Sequence, residues 1–154
     1  MFHFSRKRLF SIATDSIVFL FGVMWIYSGI SKLMNLWGLI DTIMQYRLLP
    51  SSWVVMAAST LPWFELLLGL GLIMCLLPYL RKFPENRIFL LVMMWMSLIL
   101  LSIFLVAMLS VVGRGLEVTC GCFGSDSQLV GWWTITRDMG LLALNAVVLM
   151  RLRG

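Results

Sequence analysis

Two cysteines separated by a single glycine are the residues of this chain with the clearest chemistry. They are Cys120 and Cys122, in the stretch TCGCFG at 119–124. A disulfide between them would close a small ring, and Gly121 and Gly124 give the backbone the freedom that such a ring needs. A strained, exposed disulfide has a raised reduction potential and exchanges readily. The spacing therefore favours a redox-active pair, and a structural disulfide and a metal site remain alternatives.

Metal binding has weaker support in the sequence. None of the four-ligand spacings typical of zinc is present. The chain has twelve methionines, and soft sulfur ligands would suit Cu(I). However, Met93, Met94 and Met96 stand in an apolar run without a nearby histidine, where methionine serves as packing. We predict no metal site, and we interpret Cys75 as a small buried apolar residue.

Three charged residues inside or beside apolar runs form a candidate supporting charge network. Glu65 stands twelve residues after Trp53, which is ~18 Å along a helix. Arg137 follows Trp133 by four residues, or ~6 Å, and Lys32 ends the first apolar run. A carboxylate in hydrocarbon needs a partner or a proton. We expect Glu65 to pair with Arg137 or Lys32 beneath the cysteines, in a packing role or a functional one.

The composition is that of a membrane protein. Of 154 residues, 61% are hydrophobic and 12% charged, and the mean hydropathy is +0.97. A soluble domain of this length exposes too much surface to hide so many apolar side chains. The net charge is +5, but the basic residues form short clusters between apolar runs. They indicate topology, and no nucleic-acid partner is expected.

Four apolar runs are long enough to cross a bilayer, which requires ~20 residues. They cover about 12–33, 53–80, 88–112 and 130–150. The prediction is an all-α membrane protein, a four-transmembrane-helix bundle forming a single domain over 1–154. Apolar residues at helical spacing between 34 and 52 predict a short interfacial helix in the first outer loop. Asp138 and Asn145 in the last run are expected to make hydrogen bonds between helices.

Basic residues predict the orientation, because short cytoplasmic loops are enriched in them. When successive loops are assigned to alternate sides of the membrane, eight basic residues fall on the side of the termini and four on the other side. Both termini are therefore expected in the cytoplasm and the cysteine pair outside it, with tryptophans at the outer interface. The eight are Arg6, Lys7, Arg8, Arg81, Lys82, Arg87, Arg151 and Arg153, the four are Lys32, Arg47, Arg114 and Arg137, and the tryptophans are Trp53, Trp132 and Trp133.

Five short stretches, in this order along the chain, resemble the MauE/DoxX-like family of redox-associated membrane proteins, typified by methylamine-utilisation MauE. Together they touch most of the chain, although each is weak alone. They are GISKL at 29–33, YRLLP at 46–50, LPWFELLLG at 61–69, CGCFG at 120–124 and RD at 137–138.

The resemblance implies a multi-pass protein of the bacterial cytoplasmic membrane that works beside a thioredoxin-like extracytoplasmic protein. It would form, isomerise or reduce disulfides of exported proteins, with Cys120 and Cys122 as the redox centre. The resemblance leaves two further possibilities: a membrane quinone as cofactor, and assembly of the chain into a larger membrane complex. The leading hypothesis is thus a thiol-disulfide oxidoreductase. The alternatives are a non-catalytic subunit or scaffold with a structural disulfide and, from the DoxX resemblance, a subunit of a quinone-reducing sulfur-compound oxidoreductase. Arg137 or Lys32 would raise the thiolate fraction.

Quinone-linked disulfide generators offer a useful contrast, because they carry two cysteine pairs on a four-helix bundle. This chain has one such pair and a separate Cys75. Cys75 is expected near the cytoplasmic end of the second run, ~30 Å from the outer face. Electrons could therefore not pass from one pair to another within this chain.

Overall fold

The computed structural model describes residues 2–77, 85–116, 118 and 131–153, with side chains from residue 13 onward. Within these ranges the chain is all-helical, which confirms the predicted fold class at that level. The five helices are α1 Phe2–Met34, α2 Leu36–Tyr46, α3 Ser51–Cys75, α4 Glu85–Gly113 and α5 Trp132–Arg153.

Three helical segments are long and apolar enough to cross a membrane. They are Ala13–Met34, Ser51–Cys75 and Glu85–Gly113, so the chain is a multi-pass membrane protein. The predicted count of four spans is not confirmed, because α5 forms but is not among these segments. Two charged residues and an asparagine within α5, Arg137, Asp138 and Asn145, lower its hydropathy.

The helix ends differ most from the predicted bounds at two places, and the other ends lie within three residues of them. The first helix begins at Phe2 instead of residue 12, because no glycine or proline interrupts the basic N-terminal stretch. The second predicted span ends at Cys75 instead of residue 80, and 78–80 lie outside the described residues. Asn86 Nδ2 donates to the Cys75 carbonyl at 3.0 Å, which satisfies one acceptor at the end of α3.

The short helix expected between the first two spans is α2. Asn35 begins it as an N-cap, since its side chain accepts a hydrogen bond from the Gly38 amide at 3.1 Å. Arg47 ends it in the left-handed conformation, with φ 51°. Leu39 is buried and Trp37 is 84% exposed. The helix thus packs one face on the bundle and leaves an aromatic residue outward, as an interfacial helix does.

Glycines bring α1 and α3 into close backbone contact. A Cβ at Gly69 would lie 2.7 Å from the Gly22 carbonyl oxygen and 2.8 Å from the Ile26 amide nitrogen. A Cβ at Gly29 would lie 2.8 Å from the Pro62 carbonyl oxygen. Small residues permit such approach in membrane helix pairs. We call this contact the glycine seam, and it fixes the register of α1 against α3.

A single hydroxyl connects three helices in the interior of the bundle. Ser97 Oγ on α4 accepts hydrogen bonds from Trp25 Nε1 on α1 and from Asn145 Nδ2 on α5, both at 2.9 Å. All three side chains are buried. The predicted interhelical hydrogen bond of Asn145 is confirmed, and its partner is Ser97.

Candidate functional site

Lys32 and Glu65 form an ion pair in the interior of the bundle. Lys32 is 3% exposed and Glu65 is 0% exposed. The Lys32 ammonium donates to Glu65 Oε1 and, at 3.2 Å, to Ser28 Oγ. Of the two cations that the sequence offered to Glu65, the structure therefore brings Lys32 to it.

The glycine seam explains why these two residues meet. Helical side chains point back toward the N-terminus of their own helix, so Lys32 reaches down α1 toward the level of Gly29. Gly29 lies against Pro62 of α3, and Glu65 stands one helical turn beyond Pro62. The close backbone approach thus places the carboxylate within reach of the ammonium.

The other two long helices complete the surroundings of Lys32. Its ammonium lies 4.6 Å from the centre of the Phe104 ring on α4, a cation–π contact. The Phe104 ring in turn packs against Trp25, with ring centroids 6.2 Å apart. Asp138 on α5 is within electrostatic range of the ammonium. Lys32 is therefore a point where α1, α3, α4 and α5 converge.

Arg137 is bound to its sequence neighbour instead of to Glu65. Its Nε and Nη2 both donate to Asp138 Oδ1 at 3.1 Å. The Arg137 side chain is 32% exposed, whereas that of Asp138 is 4% exposed. The two pairs, Lys32 with Glu65 and Arg137 with Asp138, carry no net charge when ionised. Neither cation is left without a carboxylate.

Two buried oxygen atoms in this interior accept no hydrogen bond from the described residues. Glu65 Oε2 and Asn145 Oδ1 have no hydrogen-bond donor in the part of the chain that the structure describes. A carboxylate oxygen without a donor is costly in a membrane interior. Glu65 is thus the described carboxylate best placed to accept a further donor or a proton.

Cys120 and Cys122 lie outside the described residues, but the helix end before them is well defined. The Leu116 amide donates to Val111 O at 3.1 Å, and the Gly115 amide donates to Val112 O at 3.0 Å. With Gly115 at φ 63°, this is a Schellman motif that ends α4. Val118, two residues before Cys120 in the sequence, is 3% exposed. The chain thus turns back onto the bundle after α4.

The helix that follows the cysteines begins at a matching cap. Thr134 Oγ1 accepts from the Gly131 amide at 3.0 Å. Ile135 of α5 packs in one cluster with Met108 of α4, so the start of α5 lies beside the last turns of α4. The end of α4 and the start of α5, between which the cysteines stand in the sequence, therefore lie at the same end of the bundle.

The described residues offer no evident metal site and no second reactive thiol. No group of three His, Cys, Asp or Glu that could hold a metal ion is found among them. Cys75 is a buried free cysteine at the end of α3. Sequence reasoning missed Ser28 and Phe104 as partners of Lys32. Only Ser28 could have been predicted as a neighbour of Lys32, because it stands four residues earlier on the same helix. Phe104 lies on another helix, and its position in the sequence does not indicate the contact.

Comparison with known proteins assigns the chain to a family. No curated protein and no solved structure matches it. The family model described as methylamine utilisation protein MauE matches residues 8–151, which is nearly the whole chain. The match confirms the resemblance carried by the five sequence stretches, and the chain belongs to the MauE family.

Proposed function

We propose that this MauE-family membrane protein performs thiol-disulfide exchange through Cys120 and Cys122 with a thioredoxin-like extracytoplasmic partner. The observation that carries the proposal is the Cys-Gly-Cys sequence in a segment bounded by the capped ends of α4 and α5. Two sulfurs one glycine apart in the sequence suit a labile disulfide better than a permanent crosslink.

The exchange is balanced in electrons and protons. A thiolate of the partner attacks one sulfur of the Cys120–Cys122 disulfide and forms a mixed disulfide, and the other cysteine leaves as a thiolate that takes up a proton. The second thiol of the partner then displaces the remaining cysteine. The partner is oxidised by two electrons and this chain is reduced to the dithiol. Reoxidation would require a two-electron acceptor, for which a membrane quinone is chemically suited.

We assign the charge network a positioning role beneath the cysteines. Lys32 and Glu65 join α1 to α3, and Arg137 with Asp138 occupies the first turns of α5. Since both cations are already compensated, their main effect is to hold the helix ends that support the reactive segment. In methylamine utilisation, the process in the family description, the proteins served would be exported ones that need disulfides.

A trapping experiment tests the exchange. In a Cys75→Ser background, Cys122→Ser or Cys120→Ser should accumulate a mixed disulfide with the oxidised partner, because the remaining thiolate can attack the partner's disulfide in the reverse direction but the second cysteine that would complete the exchange is missing. The double variant should accumulate none and should reduce disulfide maturation of exported substrates to the level without the protein. The measurement is non-reducing electrophoresis with mass spectrometry after acid quenching. Cys75→Ser alone is the matched control and should mature substrates normally.

Unchanged maturation in the Cys120→Ser, Cys122→Ser double variant would exclude the exchange mechanism. It would favour a non-catalytic subunit or scaffold of a redox complex. That alternative is supported by one observation, namely that Lys32 and Arg137 each have a carboxylate partner and offer the thiols no uncompensated charge. A cysteine pair that stays oxidised in strong reductant would point the same way.

We further propose that α5 is a fourth span, so that residues 1–154 form one four-helix domain with both termini in the cytoplasm of a bacterial cell. α5 has 22 residues, or ~33 Å of helix. Its polar residues Asp138 and Asn145 are buried and hydrogen-bonded to Arg137 and Ser97. They therefore add little cost to crossing a bilayer.

Thiol labelling tests this topology. A membrane-impermeant maleimide should label reduced Cys122 in intact spheroplasts of a Cys75→Ser, Cys120→Ser variant. A cysteine at the C-terminus, introduced as Gly154→Cys in a chain without other cysteines, should react only after permeabilisation. Labelling of both positions in intact spheroplasts would mean that α5 does not cross the membrane.

A further inference from the structure

Arg114 is held at a helix end with part of its guanidinium open. It follows directly the candidate span that ends at Gly113. Its Nε donates to Ser110 O at 3.0 Å, and its Nη2 donates to Ser110 Oγ at 2.9 Å and to Tyr46 O. A guanidinium has five N–H donors, so both donors on Nη1 have no acceptor among the described residues. The three acceptors are uncharged, so no carboxylate within the described ranges compensates the positive charge of Arg114.

Arg47 is brought next to Arg114 by the same contact. The carbonyl of Tyr46 that accepts from Arg114 belongs to the peptide bond leading into Arg47. Arg47 is exposed, and its side chain contacts no carboxylate in the described ranges. The backbone of Arg47 is thus held beside the Arg114 guanidinium, and the exposed Arg47 side chain is long enough to bring its own guanidinium to the same anion, although like charges repel. An anion bound between them would relieve the repulsion and fill the open donors.

The two arginines stand at the depth of lipid headgroups. Arg114 is one residue beyond one candidate span, and Arg47 is four residues before the span that starts at Ser51. The neighbouring apolar residues Leu48, Leu49 and Trp53 are about half exposed. A phospholipid presents phosphate and acyl chain together at this depth. An acidic soluble protein, unlike a phospholipid, would bind the arginines through its carboxylates but would leave the leucines without apolar partners.

We propose that Arg47 and Arg114, with Leu48, Leu49 and Trp53, form a binding site for the phosphate of an anionic phospholipid. The forked N–H donors bind the phosphate oxygens, as guanidinium groups do. The leucines and Trp53 contact the upper part of the acyl chains. A net negative headgroup is preferred, because a zwitterionic one brings its own cation close to the arginines. The site is independent of the cysteine chemistry.

Lipid retention by the purified full-length chain tests the site. Native mass spectrometry would count dioleoyl-phosphatidylglycerol and dioleoyl-phosphatidylcholine added separately to the protein in neutral detergent. The unchanged protein should retain phosphatidylglycerol in preference to phosphatidylcholine. Arg47→Gln should weaken the retention of phosphatidylglycerol about five-fold and leave the retention of phosphatidylcholine unaltered. Arg47→Lys, the matched control, keeps the charge and should retain most of the preference.

Arg47→Gln is the decisive variant, because Arg114 and its bond to Tyr46 stay in place. Arg114→Gln also removes that bond, so its melting temperature is measured alongside. Equal retention of the two lipids by the unchanged protein would overturn the proposal, as would full retention of phosphatidylglycerol by Arg47→Gln. Binding of a soluble oligoglutamate with no preference between the lipids would assign the arginines to an acidic protein partner instead.

Discussion

Glu65→Ala is expected to destabilise the protein by about 3–5 kcal/mol, because it leaves the buried Lys32 ammonium without its carboxylate. Lys32 is 3% exposed and keeps Ser28 Oγ as its described hydrogen-bond partner and the Phe104 ring as a neighbour, while the carboxylate of Asp138 is already bound by Arg137. The free energy of unfolding would be measured by sodium dodecyl sulfate titration of the protein in mixed micelles, followed by circular dichroism.

Two further variants separate charge pairing from packing. Lys32→Met with Glu65→Leu removes both charges at similar volume, and it should recover most of the lost stability, since a buried pair is often replaceable by apolar residues. Asp41→Ala removes an exposed carboxylate on α2 and should change stability by less than about 0.5 kcal/mol. A double variant as unstable as Glu65→Ala alone would mean that the pair is not the cause.

Gly69→Ala is expected to destabilise the protein by about 1–3 kcal/mol through overpacking. The added Cβ would meet the Gly22 carbonyl oxygen at 2.7 Å and the Ile26 amide nitrogen at 2.8 Å. These are backbone atoms that no rotamer change can move away, so α1 and α3 must separate. The same titration in mixed micelles measures the effect.

Gly140→Ala is the matched control for the glycine seam. It makes the same chemical change within a helix, but a Cβ at Gly140 would have nothing within 4 Å. Alanine should therefore stabilise α5 there by roughly 0.5–1 kcal/mol. If Gly69→Ala and Gly140→Ala shift stability equally and in the same direction, the close contact of α1 with α3 does not limit stability.

Much of the architecture follows from apolar run length, but the pairing of charges does not. Hydropathy locates the spans because lipid imposes one helix length on all of them. The sequence also indicates that Glu65 needs a cation, yet Lys32 and Arg137 both lie near the required depth. The choice depends on the register of α1 against α3, which arises from backbone contact between Gly22 and Gly69. Such contact has no signature beyond the presence of glycine.

The apolar run over 130–150 predicts a fourth span, but the mean hydropathy of α5 leaves it out of the candidate spans. An average over the helix counts Asp138 and Asn145 as fully polar, whatever their surroundings. In the folded chain Asp138 is bound by Arg137 and Asn145 by Ser97. A polar residue whose hydrogen bonds are satisfied, by its own helix as for Asp138 or by another helix as for Asn145, costs much less in lipid than its transfer value suggests. The sequence predicted an interhelical bond for Asn145, but it did not identify which of the serines on α4 would accept it.

The pairing of Lys32 with Glu65 has a consequence for biogenesis. The two residues are 33 positions apart, so during synthesis α1 reaches the membrane before its counter-charge exists. An ammonium at that depth opposes insertion of a lone helix. Release of α1 into lipid is therefore favoured only once α3 has emerged from the ribosome. The first two spans should leave the translocon together, with the charges of Lys32 and Glu65 already paired.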